Sequence, residues 1–468
     1  MSDTAASLCL TLEDFQPLPR PPFNASIRIS QAVAWFDGRL YTGGGRGPLR
    51  DHRMRAGGMP GGSPDAVPGA EEGAQIACYD PATGLWDLVY DSPLDGAGVA
   101  RDRSVRALVV YQGPGDAAPA LYAAIGSLQG QVVLLRSTDG RAFTPCGAPG
   151  LGQGDADIAA VRNLCVLENR LYTSPVGMNN ARGWADDNVA EMPVVLCAAD
   201  PAAGEWEIVS DPCFGDAGNE SINEMIVFNG TLYAATLNRL DGFQLWRASG
   251  LGGNDPVWVK VLERGAGRGP ANPVPAAMQV FAGALYIGTG VQRQPGEAAD
   301  RFGPIAPELI RVWPDDRWEL IVGEARFTPQ GLRMPLSGQG PGFDDPFVQT
   351  FWRMAVHEGV LYLGGSDWRF WPTYLPRGAR ARPDILPETQ AWLRQQTEGW
   401  QGDYGLWCSA DGVNWQAVTT TGLGGSRAQY GIRELISTPL GLIVVPAAKM
   451  GAGDDADGGI EIWLGAAS

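Results

Sequence analysis

The stretch Ile226-Val-Phe-Asn-Gly-Thr-Leu-Tyr233 decides the fold, because its pattern recurs along the chain. An apolar strand leads into a tight turn that ends in glycine, and Leu-Tyr then opens a second strand. Similar copies stand at 32–41, 165–172, 279–286 and 355–362, and looser ones at 107–122 and 434–445. Alternating apolar residues around such a turn are typical of a β-hairpin. The sequence therefore predicts seven copies of one hairpin.

A second hairpin follows each of the first six copies and completes a group of four antiparallel strands. Each second hairpin carries an aromatic residue that we place in its last strand: Trp86, Phe143, Trp206, Trp258, Trp318 and Trp415. Repeated groups of four antiparallel strands are typical of the blades of a β-propeller. We expect the repeated aromatic side chain to pack between neighbouring blades.

The seventh copy is one strand short, since the chain ends soon after Ile460-Glu-Ile-Trp-Leu-Gly-Ala466. Residues 8–18 supply an apolar strand with Phe15 at the aromatic position. We expect this N-terminal strand to complete the last blade and close the ring, which removes the open sheet edges. The prediction is an all-β, seven-bladed β-propeller of four-stranded antiparallel blades, forming a single domain over residues 1–468.

Composition excludes several classes of function. The chain has a formal net charge of −17 and only two histidines, against 64 glycines and 36 prolines. Nucleic-acid binding needs clustered basic residues, so no nucleic-acid partner is expected. Scarce histidine argues against a Ser-His-Asp triad or a histidine-rich metal site, and we expect no metal and no cofactor.

The cysteines and the termini bear on the compartment. Seven cysteines without a C-x-x-C pair predict free, mostly buried thiols. The first residues do not resemble a secretory signal, and no run of 18 apolar residues occurs. We therefore expect a cytoplasmic protein that has no membrane partner and is a monomer or a weak dimer.

Four insertions, at about 43–73, 178–190, 325–351 and 366–404, fall on one face of the predicted ring, here called the top face. Long loops on one face of a rigid scaffold commonly carry function. Trp368 and Tyr374 lie in the longest insertion and are expected to help cover a pocket. Loops that have drifted without a function are the alternative.

Aligning the hairpins gives one equivalent position per blade, at the start of each first strand. These residues are Gln31, Arg106, Arg162, Asn223, Ala276, Trp352 and Arg433. The next position holds Ala32, Ala107, Asn163, Glu224, Ala277, Arg353 and Glu434. Converging guanidinium groups predict a site for an anion or a polarised phenol. Arg–Glu pairs that only line a watery channel are the alternative, and a register slip of one residue would reverse the face.

Two turns, Ser137-Thr-Asp-Gly140 and Ser409-Ala-Asp-Gly412, resemble Asp-box repeats, and Tyr79-Asp-Pro-Ala-Thr-Gly-Leu-Trp86 resembles a kelch repeat. Both families are propellers, which implies the fold and not an activity. Asp-box sialidases carry an arginine triad and a Tyr–Glu pair; the residues similar to that set are Arg106, Arg162, Arg433, Tyr430 and Glu224. The stretches Phe351-Trp-Arg-Met354 and 430–442 resemble propeller enzymes that alkylate resorcinols in cylindrocyclophane-like pathways.

The resulting hypothesis is a small-molecule enzyme, of natural-product biosynthesis, with an anionic or phenolic substrate and alkylation- or cyclisation-type chemistry. The expected catalytic residues are Arg106, Arg433, Glu434, Tyr430 and Glu224, with either glutamate as the base. The expected substrate-binding residues are Arg162, Arg353, Asn223, Gln31, Trp352, Trp368 and Tyr374. A sialidase-like glycan hydrolase or lyase and a non-catalytic binding scaffold remain alternatives.

Overall fold

The computed structural model is built from antiparallel β-strands, as the repeat pattern predicts. It describes residues 9–24, 27–45, 72–127, 131–177, 188–250, 256–291, 305–369, 391, 395, 400, 402–448 and 459–467. In these ranges no helix has the length and apolar character needed to cross a bilayer. Most of three predicted insertions, 43–73, 178–190 and 366–404, therefore lies outside the described residues. Within the 366–404 insertion, the described residues Ala391 and Gln395 are helical.

Apart from one two-stranded hairpin, the described strands group into four-stranded antiparallel β-meanders; the strands of the first six are consecutive in sequence, and β1 completes the seventh. The chain divides into two compact halves, and the first half comprises Leu18–Pro270 with Gly459–Ile462. Its four meanders are β2 (Ile29–Phe36), β3 (Arg39–Gly45), β4 (Gln75–Asp80) and β5 (Leu85–Asp91); β6 (Asp102–Tyr111), β7 (Ala120–Ser127), β8 (Val133–Ser137) and β9 (Thr144–Cys146); β10 (Ala160–Leu167), β11 (Arg170–Val176), β12 (Leu196–Ala198) and β13 (Glu207–Ile208); and β14 (Ser221–Phe228), β15 (Thr231–Leu237), β16 (Leu245–Ser249) and β17 (Val257–Leu262).

The second half comprises Met1–Pro17, Ala271–Gly458 and Trp463–Ser468. Its meanders are β18 (Val274–Phe281), β19 (Ala284–Gly290), β20 (Leu309–Val312) and β21 (Trp318–Val322); β24 (Val348–His357), β25 (Val360–Asp367), β26 (Leu406–Ser409) and β27 (Gln416–Thr419); and β28 (Gln429–Thr438), β29 (Gly441–Ala448), β30 (Trp463–Gly465) and β1 (Phe15–Pro17). A separate hairpin of β22 (Arg326–Thr328) and β23 (Gly331–Arg333) lies between the fifth and sixth meanders. Short 3₁₀ segments lie at Leu12–Asp14, Pro149–Gly152, Pro212–Gly215, Gly269–Ala271 and Pro341–Asp344.

The first strands of consecutive meanders lie side by side within each half. In the first half β2 contacts β6, β6 contacts β10 and β10 contacts β14; in the second half β18 contacts β24 and β24 contacts β28. The second strand of a meander also reaches the first strand of the next through single backbone pairs, such as Gly45 with Ser104 and Ser366 with Gly431. Consecutive meanders are thus joined along their first strands.

Glycine in the second strand allows this close approach. A Cβ at position 43 would lie 2.4 Å from the Cβ of Val105, and one at position 364 would lie 2.6 Å from the Cβ of Ile432. In the same way, a Cβ at position 288 would lie 2.8 Å from the Cβ of Phe351. Real Cβ atoms do not approach so closely, so only glycine fits where one strand packs against its neighbour.

The tyrosine of each Leu-Tyr pair is buried, and two of these side chains contact an Asp-box turn of the next meander. A Cβ at Gly140 would lie 1.8 Å from the Tyr41 hydroxyl oxygen, and one at Gly412 would lie 2.0 Å from that of Tyr286. Within the first of these turns the Asp139 carboxylate accepts hydrogen bonds from the backbone N–H groups of residues 141 and 142. The Ser137 hydroxyl also donates to the Asp139 carboxylate, so the Asp-box serine and aspartate hold the turn.

Two of the repeated aromatic residues illustrate packing against the preceding part of the chain. Phe143 lies 6.3 Å from Tyr90 between ring centroids, and Trp258 lies 5.0 Å from Phe214 in the preceding 3₁₀ segment. The prediction that all six lie within the last strand was wrong for three of them, which come one residue before it: Phe143, Trp206 and Trp415. The turn in each of these hairpins extends one residue further than the alternation suggests.

The N-terminal strand pairs with the last strand of the chain. Phe15 of β1 lies opposite Gly465 of β30, and the backbone N–H of Ala466 donates to the Asp14 carbonyl. The Phe15 side chain packs in one core cluster with Leu442 and Trp463. Residues from the two ends of the sequence therefore share one antiparallel meander, as predicted.

We predict that Gly43→Ala destabilises the protein and that Gly96→Ala does not. The added methyl group at position 43 overlaps the Val105 side chain, and overpacking a core contact typically costs about 1–3 kcal/mol. At Gly96, which lies in an exposed turn, no heavy atom lies within 4 Å of the position that a methyl group would take. Urea-induced unfolding of both variants measures the difference. Equal free energies of unfolding would contradict the packing role of Gly43.

Candidate functional site

Each aligned position at the start of a first strand coincides with a β-bulge. The register of every first strand against its second strand shifts by one residue at this point, and the residues that fall in the shift are Gln31, Arg106, Arg162, Asn223, Ala276, Trp352 and Arg433. In β10 the shift also includes Asn163. A bulge leaves its extra residue outside the regular ladder and redirects its side chain. The alternation used to align the sequence therefore breaks at the candidate residues themselves.

In the second half, two arginines from neighbouring first strands converge on one carboxylate. The Arg353 Nε and Nη2 atoms donate to the two Glu434 carboxylate oxygens, each at 3.3 Å. The Arg433 Nη1 donates to Glu434 Oε1 at 3.4 Å. Arg433 and Glu434 are buried, and Arg353 is half-buried. Two guanidinium groups thus share a single carboxylate here, as in the Arg–Glu pairs that the alternative interpretation describes.

Aromatic rings extend this cluster. The Arg433 guanidinium lies over the Trp352 ring, 5.2 Å from its centroid, which is a cation–π contact. The Tyr430 ring lies 5.8 Å from Trp352 at an interplanar angle of 39°. Tyr430 itself falls in a further register shift of β28, between Gln429 and Gly431. Arg353, Glu434, Arg433, Trp352 and Tyr430, here called the Arg–Glu–Trp cluster, combine charge with flat apolar surface.

In the first half, the predicted residues form two smaller groups. Arg106 is buried and its Nη1 donates to Gln31 Oε1 at 3.1 Å. Arg162 donates from Nε to the Asn223 carbonyl at 3.2 Å and from Nη1 to Asn188 Oδ1 at 2.7 Å. Asn188 lies at the end of the predicted 178–190 insertion. Neighbouring bulge residues therefore bridge consecutive first strands here as well.

Glu224 follows the Asn223 bulge and contacts the third meander. The Asn163 side-chain amide donates to Glu224 Oε2 at 3.4 Å and to the Met225 carbonyl at 3.0 Å. The Cys165 thiol donates to the same carbonyl at 3.1 Å. Glu224 thus lies beside an amide donor, whereas Glu434 lies between two guanidinium groups.

Sequence reasoning missed a second group of bulge residues. Arg103 and Gln349 lie three residues before Arg106 and Trp352, and each falls in its own register shift, as Tyr430 does. Arg103 is only 2% exposed. The signal available in the sequence was the three-residue spacing between Tyr430 and Arg433, which recurs in these two strands.

Asp367 is a further buried carboxyl that the sequence did not single out. It ends β25 and accepts hydrogen bonds from the Arg369 guanidinium at 2.5 Å and from the Arg369 backbone N–H at 2.6 Å. The same guanidinium also contacts the Asp345 carboxylate at 3.3 Å. Burial raises the pKa of Asp367 to about 7, although Arg369 acts in the opposite direction. Asp367 therefore titrates near neutral pH.

Of the two aromatic residues predicted to cover a pocket, Trp368 and Tyr374, the structure describes only Trp368. Trp368 is buried in a small apolar cluster with Val291 and Phe347. Tyr374 lies outside the described residues, as does His52. The other histidine, His357, ends β24 and contacts the Ser437 hydroxyl through Nδ1 at 2.9 Å.

The cysteines carry free thiols, of which three are buried and four are half-buried. Burial raises the pKa of Cys146 to about 11 and that of Cys165 to about 12. Thiols with such pKa values are poor nucleophiles at neutral pH. The described residues contain no group of three or more His, Cys, Asp and Glu side chains placed to hold a metal ion.

No protein-family model matches the chain, and no curated protein matches it in sequence. The solved structures that are similar to this chain include those of two hydrolases. The GH74 xyloglucanase from Xanthomonas campestris matches at 16% identity with a TM-score of 0.46, over 96% of this chain and 55% of that one. Puromycin hydrolase matches at 12% identity with TM-scores of 0.46 and 0.47, the latter for an S511A mutant complexed with PGG, over 92% of this chain and 52% of that one. The chain spans about half the length of the structures it matches, and the fold assignment here follows from strand pairing alone.

We predict that Asp367 makes the stability of the protein fall as pH rises from about 4 to about 7. The folded state keeps a proton on Asp367 that the unfolded chain has already released, so the free energy of unfolding decreases over this window and then levels off. Asp367→Asn cannot ionise. As pH rises through this window, the free energy of unfolding of the variant should therefore increase relative to that of the wild type, by at most about 1.4 kcal/mol per pH unit. Urea unfolding at several pH values tests this, and parallel curves would contradict it.

Proposed function

We propose that the seven meanders are the blades of one β-propeller, closed where β1 completes the last blade. Three observations support the proposal. Each meander consists of four antiparallel strands, which are consecutive in sequence in the first six. Consecutive first strands lie side by side within each half. The N-terminal strand pairs with the last strand of the chain, so that β30 has a partner on both sides and is not left as an open edge.

We propose that the protein is a cytoplasmic enzyme that binds a small anionic or phenolic molecule at the Arg–Glu–Trp cluster. The observation that carries this proposal is the bulge at the equivalent position of every first strand. Bulges commonly lie beside active sites, where they redirect a side chain. Here they redirect polar or aromatic side chains at six of seven positions, in a chain whose net charge of −17 would otherwise repel anions.

The chemistry of the cluster assigns a role to each group. The two guanidinium groups of Arg353 and Arg433 would orient an anionic or phenolic oxygen by forked hydrogen bonds. The Trp352 ring offers a flat surface for an aromatic substrate. Glu434 lies where it can accept a proton, and Tyr430 can donate one. The reaction class that fits is polar alkylation or cyclisation without a cofactor, as in natural-product biosynthesis.

In the first half, Arg106, Arg162 and Glu224 are proposed to serve the same substrate class. Gln31 and Asn223 would orient their arginines, because each contacts one of them. Trp368 and Tyr374, which belong to the 366–404 insertion, are proposed to limit the access of water to the bound substrate.

We predict that Arg433→Gln weakens ligand binding at least about tenfold, because it removes a charge-assisted donor and the cation–π contact. The probes are benzoate, as an anion, and resorcinol, as a phenol, with dissociation constants measured by ligand-observed NMR titration. Arg106→Gln tests the first half in the same way. Arg317→Gln is the matched control, because the Arg317 side chain is 74% exposed and pairs within its own turn, with Asp315.

Circular dichroism and thermal unfolding establish that each variant retains the wild-type fold. Loss of binding in Arg433→Gln, together with unchanged binding in Arg317→Gln, supports the proposed site. Equal affinities in wild type and Arg433→Gln would remove the Arg–Glu–Trp cluster as the binding site.

A glycan hydrolase is the second candidate function, and Asp367 is the observation that favours it. Ser366 of β25 pairs with Gly431 of β28, so Asp367 lies on the strand next to the one that carries Glu434. One carboxyl that keeps its proton near neutral pH, together with a second carboxylate, is the acid–base pair that glycoside hydrolysis uses.

A panel of fluorogenic methylumbelliferyl glycosides, including a sialoside, tests this second function. Turnover that is lost in both Asp367→Asn and Glu434→Gln would support it, because the two carboxyl groups act in the same reaction. Absence of turnover across the panel would count against it and leave the polar alkylation or cyclisation chemistry as the remaining proposal.

A further inference from the structure

The buried tyrosine of each of the first six meanders pairs across the sheet with either an arginine or a cysteine of the third strand. The pairs with arginine are Tyr122 with Arg136, Tyr233 with Arg247, and Tyr286 with Arg311. The pairs with cysteine are Tyr41 with Cys78, Tyr172 with Cys197, and Tyr362 with Cys408. Residues directly opposite each other in antiparallel strands have neighbouring side chains on one face. Three of the seven thiols therefore occupy one equivalent position.

Cys408 differs from the other two because a second thiol contacts it. Cys9 packs against the core cluster that contains Cys408, and the two side chains are hydrogen-bonding neighbours. The described cluster around Cys78 contains no second thiol. Cys197 shares its cluster with Cys165, but β11 lies between their strands and separates them by roughly 10 Å. A disulfide needs Cα atoms within about 7 Å of each other.

The Tyr362 hydroxyl positions Cys9 beside Cys408. It accepts a buried hydrogen bond from the Leu10 backbone N–H at 2.9 Å. Cys9 directly precedes Leu10, and Tyr362 lies opposite Cys408. One tyrosine side chain thus brings together two thiols from opposite ends of the sequence.

This contact lies where two other meanders present a turn to their neighbour. The Tyr41 and Tyr286 hydroxyl groups lie against turns of the next meander, at Gly140 and Gly412. The segment at Leu10 meets the Tyr362 hydroxyl in the corresponding way. In the seventh meander, β30 and β1 come from opposite ends of the sequence, so no tight turn joins them. A covalent bond at Cys9 would therefore strengthen the attachment of the N-terminal strand.

The two thiols differ in their access to solvent. Cys9 is half-buried, whereas Cys408 is fully buried. Burial raises the pKa of Cys408, and the neighbouring Cys9 acts in the same direction. Cys408 is therefore protonated at neutral pH and is shielded from direct attack. An oxidant reaches Cys9 first, and Cys408 lies beside it as the thiol that can resolve the oxidised product.

We propose that Cys9 and Cys408 are a redox-active pair that a peroxide converts to a reversible disulfide. The Cys9 sulfur attacks one oxygen of hydrogen peroxide, the O–O bond breaks, and the thiol proton leaves with hydroxide as water. Cys9 is then a sulfenic acid. The Cys408 sulfur attacks the Cys9 sulfur, the S–O bond breaks, and the Cys408 proton leaves with hydroxide as a second water. The two thiols together lose two electrons, which the peroxide takes up, and a reducing thiol reverses the bond by exchange.

The disulfide links the N-terminal strand covalently to the sixth meander. It joins positions 9 and 408, so it closes a loop that includes most of the chain. Closing a long loop restricts the unfolded chain and thereby stabilises the folded state. The oxidised protein is therefore expected to unfold at a higher temperature than the reduced protein.

Peptide mass spectrometry of the full chain, after treatment with hydrogen peroxide, tests this proposal. The expected product is a Cys9 peptide joined to a Cys408 peptide, lighter by two hydrogens than the separate peptides and lost on addition of dithiothreitol. Cys408→Ser should abolish this product. Cys78→Ser is the matched control and should retain it, because Cys78 is buried opposite Tyr41 as Cys408 is opposite Tyr362.

Thermal unfolding gives the second measurement. The oxidised wild type and the oxidised Cys78→Ser variant should each unfold at least about 3 °C above their reduced forms, and Cys408→Ser should show no such rise. Cys9→Ser should behave as Cys408→Ser does, and it keeps the buried thiol in place.

Three results would overturn the proposal. The first is oxidation of Cys9 to a sulfinic acid with no Cys9–Cys408 peptide in the wild type. The second is a linked peptide that joins Cys9 to a different cysteine. The third is a rise in unfolding temperature that both Cys9→Ser and Cys408→Ser retain, because the stabilisation would then come from elsewhere. These measurements need no ligand, so the proposed binding at the Arg–Glu–Trp cluster can succeed or fail independently.

Discussion

The contact between a glycine of one second strand and the next first strand sets the geometry on which the candidate site depends. Gly43 packs against Val105, and Gly364 packs against Ile432, with no room for a Cβ. Val105 and Ile432 are the residues directly before the bulges at Arg106 and Arg433. The last residue of regular register is thus fixed against the neighbouring meander. The bulge then takes the following side chain out of that ladder. The tightly packed residue and the candidate functional residue are therefore adjacent in sequence.

The same arrangement explains how an acidic protein can hold arginine away from water. An isolated guanidinium group in a first strand would be costly to bury, but Arg106, Arg162 and Arg433 at their bulges each donate to a neighbouring acceptor. Arg353 and Arg433 share the Glu434 carboxylate, whereas Arg162 donates to a backbone carbonyl of the next first strand. A carboxylate shared by two guanidinium groups and a neutral backbone carbonyl thus both serve as acceptors at these positions.

The sequence predicts the repeats well because turn chemistry and alternation are local signals. The Leu-Tyr hairpins, the Asp-box turns and the pairing of Phe15 with the last strand all follow from residue type and spacing. The equivalent positions at the start of each first strand were also found, but the bulge that gives them a common geometry was not. A bulge interrupts alternation by only one residue, so the sequence around Trp352 and Arg353 looks like that of a regular strand. A glycine two residues after a Leu-Tyr pair, at positions 43, 288 and 364, was the available sign of a close approach.

Features that depend on contacts distant in sequence could not be predicted, and Glu308 shows why. The fourth and fifth meanders have the same polar framework, in which Thr236 and Asn219 bind Gln244, as Thr289 and Asn272 bind Glu308. The Gln244 amide nitrogen donates to Asp216, but a carboxylate at 308 can only accept and therefore binds Arg326. The exchange of an amide for a carboxylate at one framework position converts an internal contact into the attachment of a projecting hairpin. No local pattern in the sequence distinguishes the two cases, because the outcome depends on which donor the following link brings back to that position.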